Sequence, residues 1–210
     1  MRIIGGMYRS RPLVAPKGRS TRPTSDRVRE ALFGILESAK VVADARVLDL
    51  YAGTGALGLE ALSRGAAQAT LVESSREALD AIRTNVATLG VADRVRVVAG
   101  DVKRAVRSLP AGAPFDLVFA DPPWALVDDG AAIEALAGLL RARAVGMTTW
   151  IVLEHSSRST PPARQGGTPG GQDARDGAGL GELAAFDTRR YGDTALTFYK
   201  PDILDPRSRT

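Results

Sequence analysis

The chain of 210 residues is long enough for one well-packed domain, and its 44% hydrophobic and 25% charged residues are typical of a globular protein. No apolar run approaches the roughly 20 residues that a membrane span needs, and the N-terminus lacks a signal-peptide pattern, so we expect a cytoplasmic protein without a membrane anchor. The lack of cysteine and the presence of a single histidine, His155, exclude a disulfide framework, an iron–sulfur cluster and a zinc site built from thiolates or imidazoles.

The net charge of +4 is unevenly distributed along the chain. Residues 1–30 carry eight basic and two acidic side chains, whereas the rest of the chain carries two more acidic than basic groups. A local excess of Lys and Arg is the electrostatic signature of a protein that meets a polyanion, most often nucleic acid. An ordinary solvated basic segment is the alternative interpretation.

Glycine and proline punctuate residues 1–24, which favours a small hairpin or extended basic arm. Thr24 or Ser25 is then expected to cap a helix. Its apolar residues follow the spacing of a buried stripe: Val28, Ala31, Leu32, Ile35 and Leu36. We place Arg27 and Arg29 on the exposed side of this helix, where they can face a polyanionic partner.

Apolar strands and helices alternate from residue 46 onward. We predict strands over 46–50, 69–73, 95–99, 115–120 and 148–153, and helices over 56–64, 75–89, 102–109 and 131–141. This alternation predicts a Rossmann-like α/β fold, a doubly wound and mostly parallel sheet covered on both faces. Residues 184–188 and 194–200 should close the sheet as an antiparallel strand pair. The main domain would therefore span residues 25–200, with a flexible Gly/Pro-rich insertion over 156–181 and a tail over 201–210.

Residues 47–58 run from a strand, through a glycine turn, into a helix. Gly53 and Gly55 let the backbone approach a ligand closely, and Glu73 ends the next strand, where an acid can hold an adenosine ribose. With Gly58, the spacing also matches the dinucleotide fingerprint, so the turn alone does not separate NAD from S-adenosylmethionine. A tight turn without a ligand is the third possibility.

Two further acids favour S-adenosylmethionine. Asp49 stands just before the glycine turn, where it can receive an ammonium group but would repel a pyrophosphate. Asp101 follows the third strand, where its carboxylate can accept a hydrogen bond from an adenine amino group. Taken singly, Asp49 can be a turn-forming residue and Asp101 a helix N-cap. Three acids after three successive strands nevertheless meet at the carboxyl edge of the sheet, where such folds bind ligands.

The fourth strand leads directly into Asp121-Pro122-Pro123-Trp124. The two prolines stiffen the backbone, Asp121 and the Pro122 carbonyl offer hydrogen-bond acceptors, and Trp124 offers an aromatic face. These groups can hold a planar exocyclic amine with its lone pair aimed at an electrophile, and Asp121 can take the departing proton. A proline-rich strand terminator beside a core tryptophan is the alternative.

Asp-Pro-Pro-aromatic after the fourth strand, downstream of Asp-x-x-Ala-Gly-Thr-Gly, resembles amino-methyltransferases that act on nucleic-acid bases. Four segments narrow the resemblance to the RsmD family: residues 2–6, 22–33, 50–65 and 191–194. Members of that family methylate the N2 amine of a guanine in small-subunit (16S) ribosomal RNA. The resemblance covers nearly the whole chain and implies a class I methyltransferase fold with S-adenosylmethionine as cofactor.

The resemblance also implies roles for individual residues. The methionine end of the cofactor would lie against Asp49, Ala52, Gly53 and Gly55. Its ribose would meet Glu73, and its adenine would meet Asp101 and Val102. The target guanine, flipped from its loop, would enter among Asp121, Pro122, Pro123 and Trp124. RNA phosphates would meet Arg2, Arg9, Arg11, Arg22, Arg27 and Arg29.

Two positions depart from the family pattern or receive no role from it. The family usually ends the tetrapeptide in tyrosine, and Trp124 keeps the stacking face but lacks the hydroxyl group. His155 precedes the Gly/Pro-rich insertion, and we expect it to be an exposed strand-end residue rather than a catalytic base.

Three other functions compete with this interpretation. An amino-methyltransferase for adenine or cytosine in RNA or DNA would more often carry Asn at the first position of the tetrapeptide. An NAD-dependent oxidoreductase would leave the tetrapeptide and the basic arm without a role. A non-catalytic RNA-binding protein would have no need of the intact cofactor residues. We expect the partner to be 16S rRNA in an assembled or assembling small ribosomal subunit, bound by a monomeric enzyme.

Overall fold

Strands and helices alternate along the chain in the computed structural model, which describes residues 1–15, 25–109, 112, 114–162, 164–165 and 182–202. The helices are α1 Asp26–Ser38, α2 Ala56–Ser63, α3 Arg76–Leu89, α4 Val102–Arg107, α5 Ala125–Asp128 and α6 Ala131–Arg141. The strands are β1 Arg46–Leu50, β2 Gln68–Glu73, β3 Val95–Ala99, β4 Phe115–Ala120, β5 Val145–Ser156, β6 Arg164–Gln165, β7 Glu182–Tyr191 and β8 Thr194–Asp202.

The strands form one sheet in the order β3-β2-β1-β4-β5-β8-β7-β6. Strands β1 to β5 pair in parallel, whereas β8, β7 and β6 add antiparallel pairs at one side. The chain moves outward from β1 to β3 and then returns to place β4 on the other side of β1. The strand order therefore reverses between β1 and β4, and such a switch point opens a crevice at the carboxyl ends of the two strands.

Each face of the sheet carries its own apolar core. On one face, α1 buries Leu32, Phe33 and Leu36, and the Phe33 ring lies 5.7 Å from the ring of Phe119 on β4. This helix begins where the Ser25 side chain accepts a hydrogen bond from the Val28 N–H. On the other face, α4 and α6 pack against each other, α4 also contacts β2, and α6 also contacts β5. The doubly wound fold predicted from the sequence is confirmed.

The described part of the predicted N-terminal arm, residues 1–15, is a hairpin held against α2. The Glu60 carboxylate is fully buried and accepts hydrogen bonds from the Ile4 and Gly5 N–H groups, at 2.7 and 2.8 Å. Gly6 has a φ of +75°, and a Cβ at this position would lie 1.9 Å from the Ser63 carbonyl oxygen. The glycine pair therefore lets the hairpin backbone lie directly on the helix, and residues 16–24 lie outside the described residues.

Several elements differ from the prediction in their extent. Helix α5 was not predicted, because its four residues are too few to show the helical spacing of apolar side chains. Strand β5 is longer than predicted, since β4 and β8 pair with both of its edges and so support its polar residues as well. Arg164–Gln165, within the predicted flexible insertion, pair with β7, because backbone pairing does not need apolar side chains. Residues 166–181 and 203–210 lie outside the described residues.

His155 is buried, which corrects the expectation of an exposed strand-end residue. Its Nδ1 lies 2.8 Å from the Ser156 carbonyl oxygen and its Nε2 lies 2.8 Å from Thr197 Oγ1 on the neighbouring strand β8. Burial lowers the pKa of His155. The imidazole is therefore a neutral link between two strands, and nothing places it at the reaction site.

None of the helices in the described segments is both long and apolar enough to span a membrane.

Candidate active site

Three carboxylates converge at the crevice between β1 and β4. Asp49 is almost fully buried, and its Oδ2 accepts a hydrogen bond from the Gly58 N–H at 2.9 Å. Asp121 follows β4 directly, and its N–H lies 3.4 Å from the Leu50 carbonyl oxygen at the end of β1. Burial raises the pKa of Asp49 well above its usual range, and the negative charges of Asp121 and Glu73 raise it further. The crevice therefore favours a cationic ligand, which would relieve the repulsion among these acids.

The glycine turn after β1 is shaped by left-handed backbone conformations. Tyr51, Gly53 and Gly55 have φ values of +60°, +56° and +76°. A Cβ at Gly53 would meet no atom closer than 4.0 Å, so this side of the turn is open to a ligand. A Cβ at Gly58, by contrast, would lie 2.4 Å from Leu71 Cδ2, so Gly58 is needed for the packing of α2 on the sheet.

Glu73 joins the glycine turn to the end of β2. Its Oε2 accepts a hydrogen bond from the Gly53 N–H at 2.8 Å, and its Oε1 accepts hydrogen bonds from the Ser74 and Ser75 N–H groups at 2.7 Å. The Glu73 carbonyl oxygen accepts a hydrogen bond from the Gly100 N–H at 2.8 Å, which ties the end of β3 to the end of β2. The predicted ribose-binding acid is thus held at the wall of the crevice.

Asp101 is the N-cap of α4, as one of the two sequence interpretations expects. Its Oδ1 accepts a hydrogen bond from the Arg104 N–H at 3.1 Å, and the next residue, Val102, is buried. Burial raises the pKa of Tyr51 to about 12, and the negative charges of Asp101 and Asp129 contribute. Tyr51 therefore lies close enough to both acids to feel their charge, and sequence reasoning assigned it no role.

The tetrapeptide after β4 presents its groups at different depths. Pro122 is buried, Asp121 and Trp124 are half-buried, and Pro123 is exposed. The Pro123 carbonyl oxygen accepts a hydrogen bond from the Leu126 N–H at 2.8 Å and so begins the turn into α5. The Pro122 carbonyl oxygen accepts no hydrogen bond from the residues that the structure describes. It is thus available to a ligand beside the Asp121 carboxylate.

The arginines predicted to meet RNA fall into different environments. Arg2, Arg9, Arg11 and Arg27 are exposed, and Arg2 forms an ion pair with Asp26 at 3.2 Å. Arg22 lies outside the described residues.

Arg29 is fully buried, which corrects its placement on an exposed RNA-facing side. Its Nη2 donates hydrogen bonds to the Arg2 carbonyl oxygen at 2.8 Å and to Asp26 at 2.7 Å. The reason is that the hairpin covers this side of α1. Arg29 therefore holds the hairpin to the domain and is not exposed to RNA.

Asn85 is a buried residue of α3 that sequence reasoning missed. Its Oδ1 accepts a hydrogen bond from the Val14 N–H at 2.7 Å, and its Nδ2 donates to the carbonyl oxygens of Val14 and Thr54, each at 3.0 Å. Thr54 lies between Gly53 and Gly55, so one amide links the hairpin to the cofactor turn. The only signal in the sequence was a polar residue within the apolar stripe of α3.

Comparisons with known proteins agree with this architecture. A family model described as "Conserved hypothetical protein 95" matches residues 1–200. The chain belongs to this family. It is 48% identical over 124 residues to Ribosomal RNA small subunit methyltransferase D of Escherichia coli, a match that covers 59% of this chain and 60% of that relative. The resemblance to the RsmD family predicted from the sequence is therefore confirmed.

Two relatives of this family match over almost their whole length. The YlbH protein of Bacillus subtilis is 37% identical over 202 residues, which cover 95% of this chain and 98% of that protein. The structure of the yhhF protein of Escherichia coli superimposes with a TM-score of 0.76 and 34% identity, over 97% of this chain and 99% of that one. The class I methyltransferase fold is thus confirmed.

Proposed function

We propose that this chain transfers a methyl group from S-adenosylmethionine to the exocyclic N2 amine of a guanine in 16S rRNA of the small ribosomal subunit. The observation that carries this proposal is the position of Asp121-Pro122-Pro123-Trp124. The tetrapeptide directly follows β4, and Asp121 borders the end of β1, which carries Asp49 and the glycine turn. A base held by the tetrapeptide would therefore face a cofactor held by the turn.

The charge of the crevice fits this cofactor. S-adenosylmethionine supplies an activated methyl group on a sulfonium and also carries an ammonium group. Burial raises the pKa of Asp49, and the nearby negative charges of Asp121 and Glu73 raise it further, so the positive sulfonium and ammonium groups would be stabilised there. The pyrophosphate of NAD would instead add negative charge, which argues against an oxidoreductase.

The residues of the tetrapeptide can each contribute one interaction with the target base. The Asp121 carboxylate and the Pro122 carbonyl oxygen would accept hydrogen bonds from the two N–H groups of the amine, which aims its lone pair at the methyl carbon. Trp124 would stack on the base. As the new C–N bond forms and the C–S bond breaks, Asp121 would accept the proton that the amine loses.

Ribosomal RNA is favoured over other nucleic acids by the family relationship. The Escherichia coli relative, 48% identical over 124 residues, is named for a small-subunit rRNA activity. The exposed hairpin and α1 residues Arg9, Arg11 and Arg27 would contact phosphates near the crevice. Methylation of adenine or cytosine amines is the alternative, since the same acceptors can hold any planar exocyclic amine. The cytoplasmic location and monomeric state remain predictions.

The direct test uses purified protein, labelled S-adenosylmethionine and small ribosomal subunits from cells that lack the gene. We expect label in N2-methylguanosine. Asp121→Asn should strongly lower kcat, because Asn keeps an acceptor oxygen but cannot take the proton, and it should also weaken cofactor binding, because one of the negative charges that would face the cofactor is lost. Asp80→Asn, an exposed site on α3, is the matched control and should retain full activity. Label only in N6-methyladenosine, or no label in any RNA, would contradict the proposal.

A further inference from the structure

A groove of about 630 Å³ lies between α4 and α6, on the face of the sheet opposite the N-terminal hairpin. Its apolar floor consists of Val106, Ala135, Gly138 and Ala142. The two helices approach closely there, because a Cβ at Gly138 would lie 3.2 Å from Val106 Cγ1. The groove is therefore a fixed feature of the helix packing.

Three cationic side chains line this groove. Lys103 and Arg107 are exposed and lie one helical turn apart on the same side of α4, about 6 Å along the helix axis. Arg141 comes from the last turn of α6 and pairs with Glu134, the only acid in the groove lining. The lining thus carries a net charge of +2, and the exposed Arg104 on α4 adds to the positive surface nearby.

The groove is aligned with the proposed reaction site. Helix α4 contacts β2 and α6 contacts β5, so the space between the helices lies over β1 and β4. These are the strands that end at Asp49 and before Asp121. Both helices begin at the carboxyl edge of the sheet, where the crevice lies, and the groove between them runs along the direction of the strands.

We infer that this groove is a second RNA-binding surface, which takes backbone phosphates of the rRNA strand next to the target base. The inference rests on the proposed function. A base that enters a crevice at the edge of the sheet leaves RNA on both sides of it, and the hairpin arginines lie on only one face of the sheet. The groove offers a lining of net positive charge on the other face, and a phosphate chain is the partner that matches this charge.

The test compares two double variants that each remove one lysine and one arginine. Lys103→Gln/Arg107→Gln removes two groove cations, and Lys40→Gln/Arg83→Gln removes two exposed cations outside the groove, one after α1 and one on α3. The dissociation constant for protein-free 16S rRNA is measured at several salt concentrations. For the groove variant, the slope of log affinity against log salt should fall in magnitude by about 1.4 to 1.8. The control should keep the slope of the parent protein.

Kinetics with small ribosomal subunits provide the second measurement. The groove variant should raise the KM for subunits while kcat and the affinity for S-adenosylmethionine stay unchanged, because none of the residues assigned to the cofactor or the reacting amine lines the groove. An unchanged salt slope, or an equal loss in the control variant, would overturn the inference. So would weaker binding to assembled subunits with unchanged binding to protein-free rRNA, since that pattern assigns the groove to a ribosomal protein.

The methylation activity of the parent protein distinguishes a failure of this inference from a failure of the proposed function. If the parent methylates subunits and the groove variant binds rRNA as the parent does, only the groove inference fails. If the parent methylates no RNA, the proposed function fails, and the inference fails with it.

Discussion

Asn85 connects the hairpin, α3 and the cofactor turn through a single side-chain amide, and we expect Asn85→Ala to weaken both the fold and cofactor binding. The substitution removes one hydrogen bond from the Val14 N–H and two to the carbonyl oxygens of Val14 and Thr54. Asn85 is almost fully buried, and so is its bond to Thr54, whereas its two bonds to the exposed Val14 are partly buried.

The size of the effect follows from the three lost bonds. Each contributes about 1 kcal/mol, so the free energy of unfolding should fall by about 3 kcal/mol. For a chain of 210 residues, the corresponding fall in Tm is roughly 6 to 12 °C. The bond to Thr54 alone, at about 1 kcal/mol, corresponds to about fivefold weaker binding of S-adenosylmethionine if it holds the turn in its binding conformation.

Thermal unfolding followed by circular dichroism and titration calorimetry with S-adenosylmethionine measure the two effects. The control is Thr88→Ala on the same helix, where an exposed hydroxyl group bonds to the Thr84 carbonyl oxygen, and its effect should stay within about 0.5 kcal/mol. Equal stability of the two variants would refute the link between hairpin and turn. A lower Tm with unchanged cofactor affinity would show that Thr54 holds its conformation without Asn85.

Three further tests probe separate parts of the structure. The raised pKa of Asp49 means that the folded chain binds this proton more tightly than the unfolded chain, so the stability from this group is present in acid and lost as the pH rises through the folded pKa. Without cofactor, Asp49→Asn should therefore have a higher Tm than the parent near neutral pH and the same Tm in acid. Its affinity for the cofactor should fall. An equal Tm of variant and parent at all pH values would contradict the stability prediction. Gly6→Ala should lower the Tm, because its Cβ would collide with the Ser63 carbonyl oxygen, whereas Gly34→Ala, which meets no atom within 4 Å, should not. Trp124→Tyr should keep methyl transfer and Trp124→Ala should raise the KM for subunits, since only the aromatic face is required; equal activity of the two would exclude stacking.

The carboxyl edge of the sheet was predictable because its signals are local. Asp49, Glu73 and Asp121 each stand at or next to the end of an apolar strand, and parallel strands bring such ends to one edge. The conformation of a glycine turn between a strand and a helix can likewise be predicted from a few consecutive residues. The structure accordingly brings Asp49, Glu73 and Asp121 close together.

The buried face of α1 was predicted less well, because the hairpin that covers it is remote from the helical period. The spacing placed Ala31 and Ile35 in the stripe, whereas the structure buries Arg29 and Phe33 and leaves Ala31 and Ile35 half-buried. The hairpin covers the Arg29 side, and the Arg2 carbonyl oxygen accepts a hydrogen bond from its guanidinium. A helical pattern reveals how wide a buried face is but does not reveal which distant segment lies on it.

A count of charges along the sequence has the same limit, because it does not reveal which charges lie close together in the fold. The structure therefore changes where RNA is expected to bind. The count along the chain assigned the positive excess to residues 1–30, but Arg29 is buried there and Arg2 is paired with Asp26. That count did not reveal the cations of α4, since acidic residues elsewhere in the sequence balance their charge. In the structure, Lys103 and Arg107 line a groove whose described lining includes one acid, Glu134, itself paired with Arg141. Electrostatic attraction depends on distance in space, so under the proposed function the positive surface that attracts RNA would extend over both faces of the sheet.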